Sequence, residues 1–222
     1  MERWQPVSVL SDIRRGEVAG VRMGGHEIVL WREDAQAATL HAWEDRCPHR
    51  GMRLSFGFVR GDALGCLYHG WQFGGGARCR LIPAHPRVRV PASIHVRAYT
   101  VREHAGLAWV SMDGAEDFPP RQAGWPENVQ PVRTVHVHAP VGQVCHAAGI
   151  TPDAGMAWHG PVGLAAHEPV AGQAMLHVVR AADAAGVLSV PALSHWAERL
   201  RDAVEGGVLT APVMAELVGE AA

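Results

Sequence analysis

Between residues 5 and 112 the chain reads as short apolar runs broken by polar, glycine and proline positions. Runs at 20–23, 27–32, 39–44, 58–60, 63–66, 96–102 and 107–111 are too short for helices and predict β-strands. Gly24-Gly25, Arg60-Gly61-Asp62 and Gly74-Gly75-Gly76 separate them as turns. Many short strands at this spacing predict a mainly β fold, an antiparallel β-sandwich or small barrel.

The pattern then changes. Residues 113–131 hold four prolines and little periodicity, which predicts a linker. Beyond it, 132–138 alternates as a strand does, and 174–179 predicts another. Leu193, Trp196, Leu200 and Val204 fall at helical spacing, with Ser194 near the start and Gly206-Gly207 at the end, so a helix is expected over 192–204. A last short helix is expected over 212–218, and 139–173, rich in alanine, glycine, histidine and proline, predicts no element. The organisation expected is a β domain at 4–112, a linker at 113–131 and a short α+β appendage at 132–222.

Composition adds exclusions. The net charge is -2, from 20 basic and 22 acidic residues, and every basic residue is arginine. A charge so near zero gives no field for nucleic acid or an anionic membrane. The opening MERWQPVSVL lacks the apolar core of a signal peptide and no run of 18 apolar residues occurs, so a soluble, cytoplasmic protein is expected. Four irregularly spaced cysteines are too few for a disulfide framework in a chain this long, which favours metal binding.

Two of those cysteines belong to a pattern. RCPHRGM at 46–52 and GCLYHGW at 65–71 combine as C-x-H-x16-C-x2-H, with Cys47, His49, Cys66 and His69 at loop tips beyond strands. Thiolate and imidazole together suit zinc or iron–sulfur iron. Structural zinc usually takes like ligands in pairs, whereas here each loop mixes the two. A mixed pair from each loop suits a [2Fe–2S] cluster in which the cysteines hold one iron and the histidines the other, the Rieske arrangement. Cys79 and Cys145 read as free thiols.

Cys47-Pro48-His49-Arg50-Gly51 and Cys66-Leu67-Tyr68-His69-Gly70-Trp71-Gln72-Phe73 resemble the Rieske domain of the Rieske non-haem iron oxygenases, over about residues 4–112. The resemblance implies that Cys47 and Cys66 bind the inner ferric iron and His49 and His69 the outer, valence-changing one. It implies Gly51 and Gly70 letting backbone N–H groups approach the sulfides, and Trp71 and Phe73 shielding the cluster or serving as ordinary core. Respiratory Rieske proteins carry one further cysteine per loop, forming a bracing disulfide. Met52 and Tyr68 stand at those positions and point away from that subtype.

The same resemblance implies a mononuclear Fe(II), held by two histidines and a carboxylate, in the following domain. Pro126-Glu127-Asn128 and Val132-Arg133-Thr134-Val135 look like the entry to it. The nearest match to its helical motif is Asp153 with His159, but Met156 stands where the first histidine belongs. Only about 60 residues follow His159, so the region reads as truncated or divergent and a complete family-type site is not expected. Other donors there are His136 and His138, on one face of the predicted strand, and His146, His167, Glu168 and His177. Two functions follow: an oxygenase-type Rieske protein passing single electrons toward oxygen activation, or a stand-alone carrier or redox sensor. The partners implied are a reductase or ferredoxin donor, a small organic or aromatic substrate, and further copies of the chain in a homotrimer.

Overall fold

In a computed structural model of the protein, residues 4–118, 125–151 and 155–207 are described. Ten strands make up the first half: β1 (Gln5–Val9), β2 (Val18–Met23), β3 (His26–Arg32), β4 (Leu40–Glu44), β5 (Phe58–Arg60), β6 (Ala63–Gly65), β7 (Gln72–Gly74), β8 (Cys79–Leu81), β9 (Ala98–His104) and β10 (Leu107–Ser111). They form two antiparallel sheets, one of six strands in the order β1-β10-β9-β4-β3-β2 and one of four in sequence order, β5-β6-β7-β8. The edge strands β1 and β2 of the larger sheet approach each other, so that it nearly closes. Gly24 and Gly25, at φ +56° and +84°, make the tight β2–β3 turn, a backbone shape open to glycine at little cost.

The predicted strands all appear, with ends shifted by at most two residues. Three others do not stand out in the sequence. β1 is interrupted by a bulge between Pro6 and Ser8, while β7 and β8 are three residues each and give alternation no room to show.

The second half holds a four-stranded antiparallel sheet, β11-β14-β13-β12, from β11 (Val129–Val137), β12 (Met156–His159), β13 (Val162–His167) and β14 (Ala174–Ala181), with helices α1 (Val141–Ala148) and α2 (Val190–Glu205). β11 begins inside the expected linker, and Pro131 sits at a bulge, where its missing N–H interrupts no regular ladder. The segment 139–173 is not featureless: it supplies α1, β12 and β13. Every residue of β13 is buried, because both faces of the sheet are covered. A strand buried on both faces shows no alternation, and its Val-Gly-Leu-Ala-Ala run carries no period to read. In α1, Val141, Val144, Cys145 and Ala148 do recur at helical spacing, and Gly149 closes the helix at φ +63°. The expected helix at 212–218 lies outside the described residues.

One face of this sheet, through Val135, Val137, Leu164, Leu176 and Val178, packs on Leu193, Trp196 and Leu200 of α2. The opposite face packs Met156, Ala165 and Val179 against Trp4, Val9, Leu107 and Trp109 of the first half. The α+β region thus shares a core with the β domain rather than hanging from it.

Candidate metal centre

The two Cys/His loops fold alike. The first leaves β4 and runs to Arg53; the second joins β6 to β7. In each, the N–H of the glycine four residues after the cysteine donates to the cysteine carbonyl, Gly51 to Cys47 at 2.8 Å and Gly70 to Cys66 at 2.9 Å. The cysteine N–H donates onward to the fifth residue's carbonyl, Cys47 to Met52 at 2.8 Å and Cys66 to Trp71 at 2.9 Å. Closing so tight a turn puts Gly51 and Gly70 at φ +71° and +68°, where a β-carbon costs energy. A Cβ at Gly70 would also come within 3.1 Å of Pro83. Both glycines therefore serve loop closure, and their N–H groups are engaged by the cysteine carbonyls rather than aimed at a sulfide.

The paired turns bring the four side chains together in two layers. Cys47 and Cys66 lie at the bottom, 2% and 1% exposed, over a core of Trp43, Leu54, Leu64 and Phe73. His49 and His69 lie nearer the surface, with ring centroids 4.6 Å apart. Trp71 stacks on His49 at 4.3 Å with planes 4° apart, and Tyr68 lies 3.9 Å from His69. Trp71 thus covers the pair from one side, while Phe73, fully buried, belongs to the core beneath.

Burial pushes the Cys47 thiol up to about 11, the neighbouring Cys66 adding to the effect, against the opposing N–H groups of His49 and Arg50. Desolvation, followed by His69 and Arg50, holds His49 below its ordinary value. Its Nδ1 is buried with no hydrogen-bond partner. Buried polar atoms are nearly always satisfied, so an orphaned imidazole nitrogen beside a second imidazole and two facing thiols has the chemistry of a metal ligand. The residues present fit a [2Fe–2S] group.

Among the described residues no three His, Cys, Asp or Glu side chains gather as one metal ion would require. A binuclear cluster asks for something different, two protein ligands per iron, with sulfides completing each tetrahedron. The other candidate donors are dispersed. His159 Nε2 is bonded to the Ala148 carbonyl at 2.8 Å, and Asp153 lies outside the described residues. His136 and His138 do sit together, centroids 4.4 Å apart, but His136 Nε2 pairs with Gln173 Oε1 at 2.8 Å and His138 faces Glu205 at 3.4 Å. No disulfide joins the four cysteines; Cys79 is buried, its Sγ 3.7 Å from the Leu81 carbonyl.

Two of the donors expected from the sequence, His167 and His177, instead bond to each other and join the two halves. His167 Nε2 meets the Arg22 carbonyl at 2.9 Å, His167 Nδ1 meets His177 Nε2 at 3.0 Å, and His177 Nδ1 meets Thr134 Oγ1 at 2.9 Å. The ring planes are 3° from parallel, as an in-plane bond between ring nitrogens requires, and both rings are buried. Strand pairing brings them together: the register sets Thr134 opposite His177 and His177 opposite Ala165, two residues before His167.

Comparison with known proteins agrees with this geometry. The Rieske [2Fe–2S] domain family matches residues 3–99. The oxidoreductase NdmD of Pseudomonas putida is 35% identical over 113 residues, 50% of this chain and 19% of that one. The 4beta-methylsterol monooxygenase of Methylococcus capsulatus is 43% identical over 110 residues, 48% of this chain and 29% of that one. The chain thus spans well under half the length of these curated relatives. The solved structure of NdmA from Pseudomonas putida CBB5 aligns with a TM-score of 0.69 at 16% identity, covering 98% of this chain and 87% of that one. The likeness of fold therefore runs through the second half, well past the stretch that resembles the family in sequence. Residues 3–99 thus match the Rieske [2Fe–2S] domain, and the proteins similar to the chain over this stretch include a monooxygenase and a demethylase.

Proposed function

We propose that Cys47 and Cys66 hold one iron of the cluster and His49 and His69 the other. In this reading the protein accepts single electrons from a reductase or ferredoxin and passes them in support of oxygen activation on a small organic substrate. The observation that carries the reading is the buried, partnerless Nδ1 of His49, set between the His69 and Trp71 rings. The relatives' names, monooxygenase and demethylase, supply the oxygen chemistry.

Bound there, the cluster supplies one-electron chemistry at a potential above that of an all-cysteine ferredoxin, because two neutral imidazoles replace thiolates. The chain's own residues do the rest. Cys47, protonated at neutral pH, loses its proton on ligation, so loading releases protons and weakens as pH falls. Trp71 fixes the plane of the His49 ring and keeps water from one side of it. The buried cysteines and nearer-surface histidines put the ligand pair able to exchange protons at the surface, where an electron partner arrives. Cysteines outside any disulfide suit the reducing compartment expected of a cytoplasmic protein.

The test is iron and acid-labile sulfide quantitation on anaerobically prepared protein, with electron paramagnetic resonance after reduction. Two sulfides, a pair of irons and a Rieske-type signal are expected. Zinc without sulfide overturns the reading. A further equivalent of iron beyond the pair would locate the oxygen-activating centre within this chain.

A further inference from the structure

The near-zero net charge conceals a division. Residues 46–102, which contain both loops, hold ten of the 20 arginines and a single acid, Asp62; the remaining residues hold the other ten arginines and 21 acids. Asp62 is itself matched by Arg80, in a two-pronged pair at 2.5 and 2.8 Å. Arg53 is likewise matched by Glu27, which still leaves the loop-bearing stretch with a surplus of arginine on a slightly anionic protein.

The cationic groups are placed around the candidate centre. Arg50 is exposed in the first loop, next to His49. Pro83 abuts Gly70 of the second loop, and Ile82 and Val90 pack on the same core as Met52 and Trp71. The segment between them, held at both ends beside the loops, presents Arg87, Val88 and Arg89 to solvent. Leu67, Tyr68 and Val88 are 57–58% exposed, an uncommon degree for large apolar side chains. Apolar tips amid arginines have the make-up of a transient protein interface, in which charge sets encounter rate and partner choice.

We propose that this surface docks an acidic electron-transfer protein, one that carries carboxylates around its own redox centre. The inference rests on the electron-transfer reading above and names the donor's chemistry. A nucleic acid would meet the arginines but make no use of Leu67 and Val88, nor exchange electrons with the centre they surround.

The experiment uses the cluster-loaded protein and a reduced plant-type [2Fe–2S] ferredoxin, an acidic probe, in stopped flow. The bimolecular rate should fall about tenfold or more from low to high salt, as for steered association. The double variant Arg87→Glu/Arg89→Glu should lose about tenfold in rate at low salt and most of the salt dependence. Its cluster signal and its reduction by dithionite should be unchanged. Arg14→Glu, outside the segment, should leave the rate unchanged. A salt-independent rate, equal slowing by Arg14→Glu, or tighter binding of a short duplex DNA than of the ferredoxin at physiological salt overturns the proposal. Failure of the underlying reading looks different: no Rieske signal and no reduction by dithionite in the unaltered protein.

Discussion

Two of the histidine pairs in this molecule, His167–His177 and His49–His69, are opposites. In the second sheet the chain of bonds fixes every proton. The Arg22 carbonyl can only accept, so His167 Nε2 donates; His167 Nδ1 then accepts from His177 Nε2, and His177 Nδ1 accepts from the Thr134 hydroxyl. The Pro6 carbonyl also faces His177. Both rings are neutral and complete, and burial pushes His167 down to about 4 and holds His177 well below its ordinary value. At the loops, His49 keeps a buried nitrogen with nothing to bond. Proximity of imidazoles does not distinguish a site from a strut; the leftover valence does.

That contrast breaks most sharply at the cysteines. Cys47→Ala or Cys66→Ala should abolish bound iron and sulfide outright, as read by metal analysis and loss of the visible absorption, because one iron would keep a single protein ligand. His177→Leu should leave iron and sulfide unchanged. If it removed them, the second pair would be part of the metal centre and the contrast would fail. Next in size, His49→Cys should retain a cluster and lower its reduction potential by on the order of hundreds of millivolts, since an added thiolate penalises the reduced state. Protein-film voltammetry measures that directly.

The sequence made the loops legible because ligand type and spacing are local: Cys47, His49, Cys66 and His69 lie within 23 residues, in turns that need nothing distant to define them. The same holds for β5 and β10, whose predicted bounds match those observed. The His167–His177 pair was not legible. Its partners, Arg22 and Thr134, come from a different sheet and a different strand, and only pairing puts them in reach. β13 was hidden for a related reason, since a strand covered on both faces loses the alternation that marks a strand. The cationic end was in plain view but averaged away, because net charge sums over a chain that segregates its arginines.

A smaller effect tests the strut. In His177→Leu the Nδ1 of His167 loses its donor while staying buried, a cost of about 1–3 kcal/mol in unfolding free energy by denaturant titration. His159→Ala should cost less, about 1 kcal/mol, because the Ala148 carbonyl it frees lies at a helix end. Neither should shift the cluster spectrum.

The smallest expected effect is the response to mild acid, and it separates the two pairs in one titration. His167 and His177 have folded values below the ordinary 6.5, so they stabilise the fold fully above that value. As pH falls below 6.5 the unfolded chain takes up protons that the folded chain refuses, and stability drops until the folded values are reached, near pH 4 for His167. Between pH 7 and pH 6 the loss from the two rings should be about 1 kcal/mol, and in His177→Leu about half of that, since one buried ring remains. Far-ultraviolet circular dichroism in denaturant follows the sheet, while the visible band of the same sample follows the loops. If the wild type lost no stability over that unit, or His177→Leu lost as much as the wild type, the pair would not be the neutral, fully bonded strut that its geometry describes.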